Sequence, residues 1–204
     1  MADESLRIRS FTYGELRQIA VDFLAANHSA GGIPVPVEEI VEFHLQLDIV
    51  PIPGLRRNYD VDGFVSQDFR DISVDQDLQE RRPADYRYTL AHELSHVLIH
   101  QDVIKQLKFD SVEEWKAMIL AERSDEQSVY EGQAHDLGCL ILVPPARLVE
   151  EFENDRRRIN ATGLAPERLG ERGRKIVESD MAQRFNVPRF VITDRMNRDR
   201  LWPE

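Results

Sequence analysis

The sequence predicts an α+β protein, mostly helical, with one small antiparallel sheet. Segments with apolar residues at three- and four-residue spacing outnumber alternating runs, and the alternating runs all fall between residues 48 and 75. From Ala84 onward the pattern is helical almost to the end, so helices and strands are segregated along the chain.

Taken in order, Leu16, Ile19, Ala20, Phe23 and Leu24 mark a helix over 12–27, with Thr12 as N-cap three residues ahead of Glu15. The run Gly31-Gly32-Ile33-Pro34-Val35-Pro36 breaks it. Val37, Ile40, Val41 and Leu45 mark a second helix ending near Leu47. Asp48 to Leu55 alternates, but Pro51 and Pro53 cannot donate to a ladder, which confines this run to a sheet edge or strand end. Val61 to Ser66 and Asp71 to Asp75, joined by the polar turn 67–70, form a hairpin. Further helices are expected over 84–99, 111–122, 126–142, 145–159, 171–186 and about 188–198. Residues 1–146 should form the main domain, and 147–204 a helical C-terminal extension packed on it.

Of the 204 residues, 37 are acidic and 26 basic, a net charge of −11, and the imbalance is local: 1–146 carry −13 and 147–204 carry +2. An acidic body repels a phosphate backbone and attracts a basic protein, so direct nucleic-acid binding is not expected. Around Asn186-Val187-Pro188 two short helices could mimic a DNA-reading helix pair. Phe185, Val187, Phe190, Val191 and Ile192 instead read as core. The run Arg156-Arg157-Arg158 follows Glu150, Glu151 and Glu153 at helical spacing and reads as a solvated, self-paired helix face. No export signal or membrane span is visible, and Cys139, the single cysteine, excludes an intrachain disulfide and a cysteine-rich metal site. A cytoplasmic location is therefore expected. The sequence is silent on oligomeric state.

The chemically informative stretch is Tyr88-Thr89-Leu90-Ala91-His92-Glu93-Leu94-Ser95-His96-Val97-Leu98-Ile99-His100. In a helix, His92 and His96 lie one turn apart on one face and can share one Zn²⁺. Glu93, beside the first ligand, can serve as general base toward a water at the ion, as in other HExxH sites. The surrounding residues are apolar, so the helix is expected to be buried, where two histidines and a glutamate need partners. His100 lies eight residues past His92, about 12 Å along a continuous helix, too far to share the ion. It is read as a C-terminal residue facing the last carbonyls.

A catalytic zinc needs a third protein ligand and an open position. The later apolar helix offers Glu131 and His135, again four residues apart, before Pro144 ends it. Glu131 is the first choice as ligand. His135 is a partner holding a ligand's ring, or an alternative ligand. Zn²⁺ suits this donor set, and Mn²⁺ is admissible.

The Tyr-Thr-Leu-Ala-His-Glu-x-x-His helix, the preceding hairpin and the later Glu-x-x-Ala-x-x-Leu helix ending in Leu142-Val143-Pro144 together resemble the ImmA/IrrE family of zinc metallopeptidases. The resemblance covers roughly 36–146, with weaker echoes to about 196. It implies a zincin-like domain in which His92, His96 and Glu131 bind the metal and Glu93 is the catalytic base. It also implies a stress-linked regulatory role, cleavage of a helix-turn-helix transcriptional repressor. Ser95 stands where the family usually has Gly, and His135 where it usually has Asn or Asp. Gly138 and Leu140 replace the usual Ala and Glu. As in zincins generally, an edge strand is expected to pair with extended substrate, here Gly63-Phe64-Val65-Ser66. Tyr88, Tyr130 and His135 are unranked candidates for stabilising the oxyanion. The competing expectation is a metal-stabilised binding protein that sequesters a partner without cutting it.

Overall fold

The computed structural model describes residues 9–105, 125–163 and 168–202. The helix expected over 111–122 lies outside the described residues.

Helix α1, Tyr13–Asn27, starts on a reciprocal cap: Thr12 Oγ1 accepts from Glu15 N at 3.3 Å, and Thr12 N donates to Glu15 Oε2 at 2.7 Å. Leu16, Ala20, Phe23 and Leu24 form its buried stripe. Helix α2 begins at Val37–Glu39 and widens over Ile40–His44, where Leu45 N reaches back five residues to Ile40 O.

Three strands follow, β1 (Asp48–Ile52), β2 (Gly63–Val65) and β3 (Asp71–Asp75), in the order β1-β3-β2. The hairpin β2/β3 is antiparallel, with Gly63 opposite Val74 and Val65 opposite Ile72. β1 lies at the other edge, as Pro51 requires, but runs parallel to β3, with Asp48 opposite Asp71 and Ile52 opposite Asp75. The sheet is therefore mixed rather than antiparallel. The chain reverses twice, once between β1 and β2 by way of α3 (Leu55–Tyr59) and again in the β2/β3 turn, so β3 returns in β1's direction. Ser66 falls just beyond β2. Its amide donates to Asp71 O at 3.1 Å and its hydroxyl accepts from Asp71 N at 3.1 Å, closing the turn.

Asp75 ends β3 and caps α4 (Gln76–Arg81), its Oδ1 accepting from Leu78 N at 3.2 Å. Helix α5, Pro83–Ile99, starts with proline at its first position and is followed by the single turn α6, Gln101–Ile104. Helices α7 (Asp125–Leu142), α8 (Pro145–Ala161), α9 (Glu171–Phe185) and α10 (Arg189–Arg198) complete the described chain.

A single core joins both parts of the chain: Leu90, Leu94, Leu137, Leu140 and Ile141 pack with Leu148, Phe152, Phe185, Val191 and Ile192. Phe190 departs from expectation. It is 42% exposed and lies edge-on to Tyr88 with ring centroids 4.9 Å apart. Arg195, 1% exposed, is tied to Asp199 at 2.8 Å, donates from Nε to the Tyr13 hydroxyl at 3.1 Å, and donates to the carbonyls of Cys139 and Val143. It thus adds a donor to Cys139 O, which already accepts from Val143 N at 3.0 Å, and supplies one to Val143 O just past the end of α7. Among the described residues, no helix is long and apolar enough to cross a membrane.

Candidate metal centre

Helices α5 and α7 run antiparallel and meet through rungs of side chains. Going four residues back from His92 gives Tyr88, and going four forward from Glu131 gives His135; each pair hydrogen-bonds across the gap. The approach is close because Gly138 has no side chain: a Cβ there would stand 3.1 Å from Ala91 O and 3.2 Å from His92 N. Ser95, also buried in this seam, satisfies its hydroxyl by donating to Ala91 O at 2.7 Å.

In the first rung three donor atoms converge. His92 Nε2 is 3.1 Å from Glu131 Oε2, His96 Nε2 is 3.2 Å from His92 Nε2, and His96 Nε2 is 3.8 Å from Glu131 Oε2. Ligand atoms about 2.0–2.1 Å from one tetrahedral ion stand about 3.3 Å from each other. His92, His96 and Glu131 therefore form a group that could hold a metal ion. Two imidazole nitrogens facing each other this closely repel unless a proton or cation lies between them, so the donor set fits a cation.

The electrostatics agree. Burial alone would push the Glu131 carboxyl up, but the hydrogen bond with His92 and the neighbouring His96 ring outweigh it and hold the group well below the usual carboxylate range. Burial opposes charge on His92, yet its hydrogen bond to Glu131 and the nearby Glu93 raise its affinity for a proton. Burial pushes His96 the other way, lowering its affinity for a proton. Glu93 is 8% exposed, and burial pushes its carboxyl up to about 7 against the lowering effect of His92.

Strand β2 lies directly on this helix. A Cβ on Gly63 would meet Thr89 Cγ2 at 2.8 Å, Ser73 O at 2.9 Å and Glu93 Cγ at 3.3 Å. The bonds Asp75 N to Asp62 O, 2.9 Å, and Ser66 N to Asp71 O, 3.1 Å, bracket the ladder. By the alternation of antiparallel pairing, the main-chain groups of Phe64 face β3 while those of Gly63 and Val65 point away from it.

His135 is directed elsewhere. Its Nδ1 is 2.8 Å from the Tyr88 hydroxyl and its Nε2 is 3.2 Å from Asp194 Oδ2 on α10, so both ring nitrogens are engaged one turn from the three converging atoms. Asp194 escaped sequence reading because a lone acid in a charged helix carries no signal of its long-range partner. Tyr130 is buried beneath the site, its ring 4.4 Å from His96 and 4.1 Å from His100.

His100 also sits differently from expectation. It is 2% exposed, and its Nδ1 lies 2.9 Å from His96 Nδ1. Its side chain joins the histidine row instead of facing the helix-end carbonyls. Measured from His96, four residues earlier, it is on the same helical face, a spacing the sequence does display.

No protein-family model matches the chain, and no curated protein matches it.

Proposed function

We propose that this protein is a zinc-dependent endopeptidase that cleaves a protein regulator, with a helix-turn-helix transcriptional repressor as the substrate class implied by the motif resemblance. The observation that carries the reading is the convergence of His92, His96 and Glu131 beside the buried Glu93. Two imidazoles and one carboxylate suit Zn²⁺ and admit Mn²⁺. A bound zinc supplies Lewis acidity, polarising a carbonyl and lowering the pKa of water.

The remaining chemistry falls to the chain. Glu93, with its carboxyl near neutrality, takes a proton from the attacking water as the oxygen bonds to the scissile carbon. It returns that proton to the amine nitrogen as the C–N bond breaks. The open edge at Gly63 and Val65 offers main-chain donors and acceptors to an extended substrate. A net charge of −11 favours a basic partner and suits a cytoplasmic regulator acting on a DNA-binding protein rather than on DNA.

The test is co-incubation of the purified protein, Zn²⁺ or Mn²⁺, and a repressor encoded beside it. Wild type cleaves, whereas Glu93→Gln binds metal equally well and leaves the substrate intact. Continued cleavage by Glu93→Gln would remove Glu93 from the mechanism. A stable uncut complex with wild type would favour sequestration instead.

A further inference from the structure

We infer that His100 is a positioning residue for the metal centre: its Nδ1 accepts the Nδ1–H of His96 and thereby fixes the tautomer in which His96 Nε2 presents a free lone pair. The inference rests on the metal-site reading above and extends it to a side chain too far along the helix from His92 to touch the ion.

The geometry leaves two arrangements. The two Nδ1 atoms are 2.9 Å apart, so the contact holds one proton. If His100 owns it, the His96 proton sits on Nε2, between His96 and His92, and blocks the very atom the site needs. If His96 owns it, Nε2 is bare and aimed at His92 and Glu131. A single buried hydrogen bond thus separates a competent site from an incompetent one.

The surroundings explain why His100 can hold this role. α5 ends at Ile99, and His100 leaves helical geometry with φ −122° and ψ 17°, while its own N–H still donates to His96 O at 3.0 Å. Its carbonyl accepts from Val103 N and Ile104 N, both at 3.1 Å, locking the backbone at the junction with α6. Tyr130 stacks on the ring at 4.1 Å, 27° from parallel. His100 Nε2 is buried without a hydrogen-bond partner among the described residues. A side chain 2% exposed therefore directs its one side-chain hydrogen bond to a proposed ligand.

The two ligand histidines are consequently unequal. His92 Nδ1 is buried with no partner among the described residues, and its ring contacts with Glu131 and His96 both lie on the Nε2 side. His96 is oriented from behind, in the way outer partners set ligand tautomers at other metal centres.

Two measurements test this. Competition of the full chain against a chromophoric chelator for Zn²⁺ compares wild type with His100→Leu, which removes the acceptor, and His100→Gln, which keeps one. His100→Leu is expected to bind about 10- to 100-fold more weakly. His100→Gln should recover most of that loss, at a metal-free melting temperature close to that of His100→Leu. Leu and Gln variants that weaken binding equally, or a Leu variant within twofold of wild type, would overturn the positioning role while leaving the metal site standing. Failure of wild type itself to bind Zn²⁺ would overturn the metal-site reading and this inference together. Ring ¹⁵N shifts of the metal-free wild type need no variant: His96 protonated at Nδ1 and His100 at Nε2 support the inference, and the reverse pair overturns it.

Discussion

Gly63→Ala probes how tightly strand β2 is seated on the helix that carries Glu93. The new methyl would stand 2.8 Å from Thr89 Cγ2, 2.9 Å from Ser73 O and 3.3 Å from Glu93 Cγ. None of these neighbours is a loose chain end. Ser73 O belongs to the paired strand, and Thr89 is a buried β-branched side chain in a helix, with few alternative rotamers. Strand and helix must separate, and overpacking of this kind costs about 1–3 kcal/mol. For a domain of this size that corresponds to a fall in melting temperature of about 2–12 °C. Because Glu93 is one of the three neighbours, turnover should fall as well. Thr89→Ser deletes Cγ2, so the double variant Gly63→Ala/Thr89→Ser should recover part of the stability with a coupling of about 0.5–3 kcal/mol. Calorimetry on the four proteins of the cycle measures this; a Gly63→Ala melting temperature within about 1 °C of wild type would show that the contact between β2 and α5 is not as close as described.

The helix pair α5/α7 supplies a second comparison. Gly132→Ala meets nothing within 4 Å and should stabilise by about 0.5–1 kcal/mol, whereas Gly138→Ala presses on backbone and should lose that gain and weaken Zn²⁺ binding; equal stabilisation by both would contradict the seam. Zn²⁺ loading should displace the proton His92 holds against Glu131, so affinity falls as pH falls, and calorimetric titration at mildly acidic pH in two buffers should detect proton release; a heat independent of the buffer would argue against the shared proton. His100 is pushed down from 6.5 to about 3 by burial and by His96, so its neutral form adds stability fully present above pH 6.5 and lost as pH falls toward 3. At about 1.4 kcal/mol per pH unit this is at most about 5 kcal/mol in the metal-free protein, and His100→Gln should show a shallower acid loss in urea unfolding; identical pH slopes would refute it.

Elements long enough to show a period were legible in the sequence: α1 with its Thr12 cap, α5, α7, and the β2/β3 hairpin all follow from spacing. The single-turn and two-turn pieces α3, α4 and α6 were not, because five or six residues do not establish a helical rhythm. The parallel pairing of β1 escaped for a different reason: alternation fixes which face a strand buries, not which neighbour it joins or in what direction. At the site, the spacing of His92, Glu93 and His96 was informative because one helix holds all three. Glu131 needed a second helix, and its antiparallel approach depends on Gly138, whose role only the packed seam reveals. The arginine run behaves as its spacing suggests, with Arg156 at 2.9 Å from Glu153 and Arg158 at 3.5 Å from Asp155. Asp155 is nevertheless buried and also pairs with Arg184 of α9, a cross-helix link that no local pattern encodes.

The guanidinium of Arg195 gathers strands of covalent chain that begin nearly two hundred residues apart: the tyrosine that opens the first helix, the last turn of the Glu131 helix and the aspartate one turn after the arginine itself. A protease nick that released α10 would take from Val143 O the guanidinium that donates to it and leave Tyr13 without its nitrogen neighbour. Helix α10 is thus a fastening for α1, and releasing it would loosen the wall from which Glu131 projects.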